Sequence, residues 1–270
     1  EVAVKALKDG HHGYSSSNGI LELREAVSQD FFNRNKVNVD PGDILITPGG
    51  KAVIFYTLLI FGQPGSEIIF PDPGFVAYKS MIDYTGATAV SLPHRMENNF
   101  SFDADELISL INDKTKLIIL NSPANPTGGV VSEVELIKLV EGLLNFPKVH
   151  ILSDEIYSRI LFDDHKHLSP LKFKELRDRV IVLDGWSKTY SMTGWRLGYG
   201  IYPKEIFGFA EKLAINSHSC VNSASQFAGI EALKGDQKPV NDMIIEFNKR
   251  RNFLVSELNK IGNIQCKQPG

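Results

Sequence analysis

Lys188 stands in Asp184-Gly185-Trp186-Ser187-Lys188-Thr189-Tyr190, directly after the apolar run Val180 to Leu183 and between two small hydroxyl residues. A little further on, Arg196 lies in the glycine-flanked, aromatic stretch Thr193-Gly194-Trp195-Arg196-Leu197-Gly198-Tyr199. An amine at a strand end can bond covalently to an aldehyde, and a nearby guanidinium and hydroxyl can hold a phosphate on the same molecule. Asp154, in Leu152-Ser153-Asp154-Glu155-Ile156-Tyr157, follows a second apolar run. Its carboxylate can pair with a cationic ring nitrogen, or it can serve as the N-cap of a helix. Thr47-Pro48-Gly49-Gly50-Lys51 is a glycine turn entering a helix, where free N–H groups suit an anion, although such a pair is by default only a turn. Asn121-Ser122-Pro123-Ala124-Asn125-Pro126-Thr127-Gly128-Gly129 has turn composition. Phe75 can stack on a ring ligand or simply fill core.

Strand-like runs place these residues. They cover Ile44–Thr47, Glu67–Phe70, Thr88–Leu92, Lys116–Leu120, Val149–Ser153, Val180–Leu183 and Gly198–Ile201, and helical patterns intervene, among them Ala52–Phe61, Val76–Thr85, Ala104–Ile111 and Glu133–Leu144. Such alternation predicts an α/β domain: a mainly parallel seven-stranded sheet with helices on both faces. Ligands of such sheets gather at the carboxyl ends of the strands, where Gly49-Gly50, Asn121 to Gly128, Asp154 and Lys188 all fall. The section from Val240 to Ile261 has a long helical period, and Asn263–Lys267 is expected to begin a strand. Residues 1–238 therefore read as a large domain, with an N-terminal helix and interface segment over 1–20. Residues 239–270 read as a connecting helix and the beginning of a smaller domain. Both ends look cut: the chain opens inside a helical pattern without a capping residue.

The 270 residues are 43% hydrophobic and 23% charged with a net charge of −3. That balance gives no electrostatic reason to expect nucleic acid or a membrane surface as partner. The longest apolar stretch is too short to span a bilayer, and no signal segment opens the chain. Two cysteines, Cys220 and Cys266, make a disulfide framework improbable and point to a reducing cytoplasm. His11, His12, His165 and His167 show no metal-ligand spacing, so no metal site is expected. Trp186 and Trp195 are expected to pack beside the lysine loop, and Cys220 to act as a small buried residue.

The lysine segment closely resembles the cofactor-lysine motif of pyridoxal-phosphate aminotransferases of fold type I, in the aspartate aminotransferase family. At least six motifs recur in the family's order, from Tyr14 to the end of the chain. The resemblance implies that Lys188 is the Schiff-base residue, whose freed amine moves a proton between the substrate α-carbon and the cofactor. It implies that Ser187 and Arg196, with the Gly49-Gly50-Lys51 turn, hold the phosphate. Asp154 would keep the pyridine nitrogen protonated, while Tyr157 and Asn125 would hydrogen-bond the ring oxygen. Phe75 would stack on the ring, where members closest in pattern often carry tryptophan or tyrosine. Tyr14, in Tyr14-Ser15-Ser16-Ser17-Asn18-Gly19, resembles the tyrosine that reaches the phosphate of the partner subunit, which implies a homodimer with shared sites.

The reaction implied is transamination between an L-amino acid, of aspartate or aromatic type, and a 2-oxo acid. A β-lyase or other α-carbon chemistry could use the same lysine, aspartate and arginine, and a fragment that binds the cofactor without turnover is a third reading. The family's arginine for the substrate α-carboxylate lies in the second domain, and no position here matches it.

Overall fold

The computed structural model describes residues 1–270 throughout. Seven strands form one sheet: β1 (Ile44–Thr47), β2 (Glu67–Asp72), β3 (Thr88–Pro93), β4 (Thr115–Asn121), β5 (His150–Asp154), β6 (Val180–Gly185) and β7 (Gly198–Ile201), in the order β1-β7-β6-β5-β4-β2-β3. All neighbouring pairs are parallel except those of β7, which runs antiparallel to both β1 and β6.

The inner strands are largely apolar because both faces are covered, whereas the edge strand β3 exposes Thr88 and Ser91. Side chains alternate between the two sides. Ile44, Ile46, Ile118, Leu120, Ile151, Val180 and Val182 belong to one core, packed under α2 (Leu21–Asn35), α5 (Ala104–Ser109) and α6 (Glu133–Leu143). Leu45, Leu117, Ile119, Leu152, Ile181 and Leu183 belong to the other, under α3 (Gly50–Phe61), α4 (Ala77–Thr85) and α7 (Lys204–His218). Each fully buried aliphatic side chain here contributes about 1.5–3 kcal/mol, so the double-faced sheet is the rigid part of the molecule. A short α1 (Val2–Lys8) and α2 both pack on α8 (Ser223–Lys234), and α9 (Lys238–Leu258) follows.

Several strands run past their apolar runs into polar residues. Asp72, Asn121, Asp154 and Asp184 are all within strands. Beyond α9 the expectation of a strand fails: Asn263–Lys267 has no strand structure. Ile264 N–H donates to the Ile261 carbonyl and Cys266 is tied to the Asn259 side chain, so this segment folds back on the end of α9 and pairs with no edge. Cys220 is only partly buried, because it follows the end of α7 in a left-handed turn at Ser219. Trp186 is fully buried as expected, whereas Trp195 is 45% exposed.

Candidate active site

The reversed strand β7 explains how Arg196 reaches the lysine. Thr47 of β1 and Gly185 of β6 both pair with Gly198, the first residue of β7. The carboxyl ends of β1 and β6 and the amino end of β7 therefore share one sheet edge. Close approach there demands glycine. A Cβ on Gly198 would lie 2.7 Å from the backbone of Gly49, and one on Gly185 would lie 2.7 Å from the Gly198 Cα. Sequence reasoning gave Gly185 and Gly198 no role, since a glycine at a strand end has no local mark of what it must admit.

A cavity of about 310 Å³ opens at this edge, lined by Gly50, Lys51, Phe75, Asn125, Asp154, Tyr157, Ser187, Lys188 and Arg196 among others. Five separate loops thus deliver the residues that the sequence singled out. Gly49 lies just behind the lining, against Arg196. Tyr14 is outside the cavity and 92% exposed.

The anion end is built from α3 and the turn before β7. Gly49 caps α3 with φ 86° and ψ 161°, a backbone conformation that favours glycine, and the first N–H groups of the helix are free for a ligand. Arg196 also has a left-handed backbone (φ 52°), which turns its side chain back toward Gly49. Its guanidinium donates to the carbonyls of Thr193 (2.8 Å) and Pro48 (3.2 Å), so it is held in place by main chain, without a carboxylate to neutralise it. Ser187 completes the wall. A free guanidinium, a hydroxyl and a helix N-terminus together suit a phosphate. Gly49→Ala is expected to break this arrangement, because the new Cβ would fall 2.2 Å from Arg196 Nη2 at a strained φ. The expected result is at least a tenfold loss of affinity for a phosphate-bearing ligand and a stability loss of about 1–3 kcal/mol. Titration of pyridoxal phosphate and a urea melt check both.

Asp154 lies at the opposite side, 5% exposed at the end of β5. Tyr78 Oη donates to its Oδ2 at 2.6 Å, and the Ile156 N–H donates to Oδ1 at 3.2 Å. Neither partner is a cation. Burial pushes its carboxyl from 3.8 up to about 6; the Tyr78 and Ile156 donors pull it back, and the nearby Asp184 and Glu155 carboxylates add to the rise. Those two neighbours have partners of their own. Glu155 receives His167 Nε2 (2.8 Å) and the hydroxyls of Ser169 (2.6 Å) and Ser153 (2.9 Å). Asp184 receives Arg34 (3.2 Å) and the hydroxyls of Ser158 and Tyr199 (both 3.3 Å). Asp154 alone is left facing the cavity without a positive charge.

The same cavity is lined by two lysines and by the rings of Phe75 and Tyr157. Lys188 Nζ lies 5.6 Å from the ring centre of Tyr157, and Lys51 Nζ lies 5.4 Å from that of Phe75. Asn125 is set by Asn121, whose Oδ1 accepts from the Asn125 N–H (2.8 Å) while its Nδ2 donates to the Asp154 carbonyl (3.1 Å). One side chain thereby ties the Asn-Pro-Thr-Gly loop to the strand carrying Asp154. Trp186 fixes the lysine loop from below, with Nε1 donating to the Gly229 carbonyl (3.0 Å) and its ring edge-on to Tyr199. Tyr78 and Thr193 also line the cavity and were missed in the sequence, and Asn121, singled out only as the start of its loop, lines it too. Tyr78 reads there as an ordinary apolar-face residue of a helix. Asn121 carried a usable signal, standing first in the loop that holds Asn125.

The residues present fit a phosphorylated pyridine aldehyde. Phosphate donors and an uncompensated buried carboxylate line one cavity together with an amine and an aromatic ring.

The sequence profile of class I and II aminotransferases matches residues 1–270. A Rickettsia felis protein named probable aspartate/prephenate aminotransferase is 35% identical over 270 residues, spanning 100% of this chain and 66% of that protein. The Cereibacter sphaeroides aspartate/prephenate aminotransferase is 35% identical over 269 residues, spanning 99% and 67%. Among solved structures, the aspartate aminotransferase of Rhizobium meliloti superposes with a TM-score of 0.97 at 30% identity, over 99% of this chain and 67% of that one. The aromatic aminotransferase of Pyrococcus horikoshii superposes at 0.93 and 32% identity, over 97% and 70%. The chain spans about two thirds of the length of the curated relatives it matches.

Proposed function

The chain belongs to the class I and II aminotransferases, and on that premise we propose that it binds pyridoxal phosphate and transfers an amino group from an L-amino acid to a 2-oxo acid. The observation that carries this reading is the single cavity in which Lys188, Asp154 and Arg196 meet. Bound pyridoxal phosphate supplies an aldehyde and an electron-poor ring that takes up electrons from the substrate α-carbon.

The chain's own residues do the rest. Arg196, Ser187 and the Gly49-Gly50-Lys51 turn hold the phosphate. Lys188 would hold the cofactor covalently through its amine, and the same amine, once freed, would be the acid–base group that moves the proton at the substrate α-carbon. Asp154 would keep the ring nitrogen protonated, and a buried carboxylate with no other cation nearby is well suited to that task. Phe75 would stack on the ring, and Tyr157 and Asn125 would hydrogen-bond the ring oxygen.

The relatives named for aspartate, prephenate and aromatic substrates support an acidic or aromatic amino acid as donor. Residues 239–270 are read as a connecting helix and the start of a smaller domain, supported by the exposed Ile245, Phe247, Phe253 and Leu254 along α9. A homodimer in which the partner's copy of the exposed Tyr14 completes the phosphate site, in a cytoplasmic setting, belongs to the same reading. No helix is long and apolar enough to cross a membrane.

Product analysis tests the reaction. Protein loaded with pyridoxal phosphate and given aspartate or phenylalanine is expected to form the matching 2-oxo acid and pyridoxamine phosphate in equal amounts. Release of ammonia would place the chain among lyases instead.

A further inference from the structure

We propose that Tyr78 is a positioning residue for the reaction: its phenol sets the orientation in which the Asp154 carboxylate meets the cofactor's ring nitrogen. The inference rests on the cofactor reading above. Three buried carboxylates crowd this corner of the sheet, and their partners differ in kind. Asp184 is held by a guanidinium, and Glu155 by an imidazole with two hydroxyls. Asp154 has one side-chain partner, the Tyr78 phenol at 2.6 Å, plus one main-chain N–H.

The chemistry of that partner matters. A lysine or arginine in place of Tyr78 would fix the carboxylate, but it would also neutralise it and repel a protonated ring nitrogen. A neutral donor fixes the carboxylate plane and leaves its charge uncompensated. Two anchors on two oxygens, one from α4 and one from the chain after β5, stop rotation of the group. Tyr78 is itself enclosed: it is fully buried in the core between α3, α4 and the sheet. A phenol buried there without an acceptor would be costly, so it needs the carboxylate as much as it orients it.

Tyr78 also links two functions. Its N–H donates to the Phe75 carbonyl (3.0 Å), and the two rings meet edge-on at 5.7 Å and 87°. The segment after β2 thus carries both the ring that lies on the cofactor face and the donor that aims the acid. Displacement of one shifts the other.

The test compares wild type, Tyr78→Phe, Asp154→Asn and the double variant. Loss of one oxygen in Tyr78→Phe is expected to weaken pyridoxal phosphate binding about tenfold and to lower kcat with little change in KM, as for a hydrogen bond to a charged group. In the Asp154→Asn background the same change is expected to alter affinity less than twofold. Carbon-13 titration of the Asp154 carboxyl in cofactor-free protein is expected to show a higher midpoint in Tyr78→Phe, since a donor to the charged form is lost while Glu155, Asp184 and Tyr157 stay in place. Wild-type-like affinity and an unchanged carboxyl midpoint in Tyr78→Phe, with wild type attached at Lys188, would overturn the role of Tyr78 alone. So would an equal loss in the Asp154→Asn background, the mark of a general packing defect. Failure of wild type to attach the cofactor at Lys188 would overturn the cofactor reading, and this inference with it.

Discussion

Lys188→Ala is expected to lower amino transfer by roughly 10⁴-fold or more, because one amine serves both as the covalent anchor and as the carrier of the α-proton. The loss should fall on kcat. Arg196, Ser187 and the α3 N-terminus are untouched by the substitution, so the phosphate still has its donors and cofactor affinity falls far less than turnover. Stability of the cofactor-free protein is expected to change by no more than about 0.5 kcal/mol, since Lys188 is half-buried and makes no ion pair. Lys51→Ala provides the contrast. Lys51 lines the same cavity but stands at the phosphate turn, beside Phe75. Its removal is expected to weaken phosphate binding and to leave covalent attachment intact. Steady-state kinetics and the visible spectrum of each variant check the pair. Activity of Lys188→Ala within tenfold of wild type would contradict the assignment.

Asp154→Asn is expected to act in opposite directions on activity and stability. An amide cannot keep the ring nitrogen charged, so kcat should fall roughly 10³-fold, the scale of losing one preorganised charge at a reacting centre. Stability without cofactor should rise. Burial raises the Asp154 carboxyl from 3.8 to about 6, so the folded state holds this proton more tightly than the unfolded chain does. Between about pH 4 and 6 the folded state therefore binds more protons, and stability from this group falls as pH rises through that window. Above pH 6 the buried charge is fully present and costs of order 2–3 kcal/mol. Asparagine removes that cost and still accepts from Tyr78. Urea melts of the two cofactor-free proteins should coincide below pH 4 and separate to about 1–3 kcal/mol in favour of the variant at pH 7.5. Equal stability at both pH values would show that Asp154 is solvated and that its place in the reaction is misjudged.

That conflict between stability and activity has a counterpart in how the fold reads from sequence. The apolar runs mark the strands, because a sheet covered on both faces needs apolar residues at most inner positions. The runs stop short at the site. Asp72, Asn121, Asp154 and Asp184 extend β2, β4, β5 and β6 beyond their apolar residues. Backbone pairing continues there while hydropathy gives out, so a pattern of apolar residues ends each strand just where the chemistry begins. Strand order was not legible at all. Nothing local in Gly198–Ile201 says that this strand runs against its neighbours, yet that reversal brings Arg196 to Gly49. The motif-bearing residues were legible because their types and order are unusual together. Tyr78 was not, since a tyrosine on the inner face of a helix matches core packing and its acceptor lies 76 positions away. The expected strand at Asn263–Lys267 failed for the converse reason: alternation alone, with no neighbouring strand to pair with, makes no strand.

One measurement bears most directly on the covalent chemistry. Incubation with pyridoxal phosphate, reduction with borohydride and peptide mass analysis should find a single phosphopyridoxyl group, on Lys188, that is absent from Lys188→Ala. The same label on Lys51, scattered over surface lysines, or missing altogether would contradict the assignment of Lys188 as the amine that holds the cofactor.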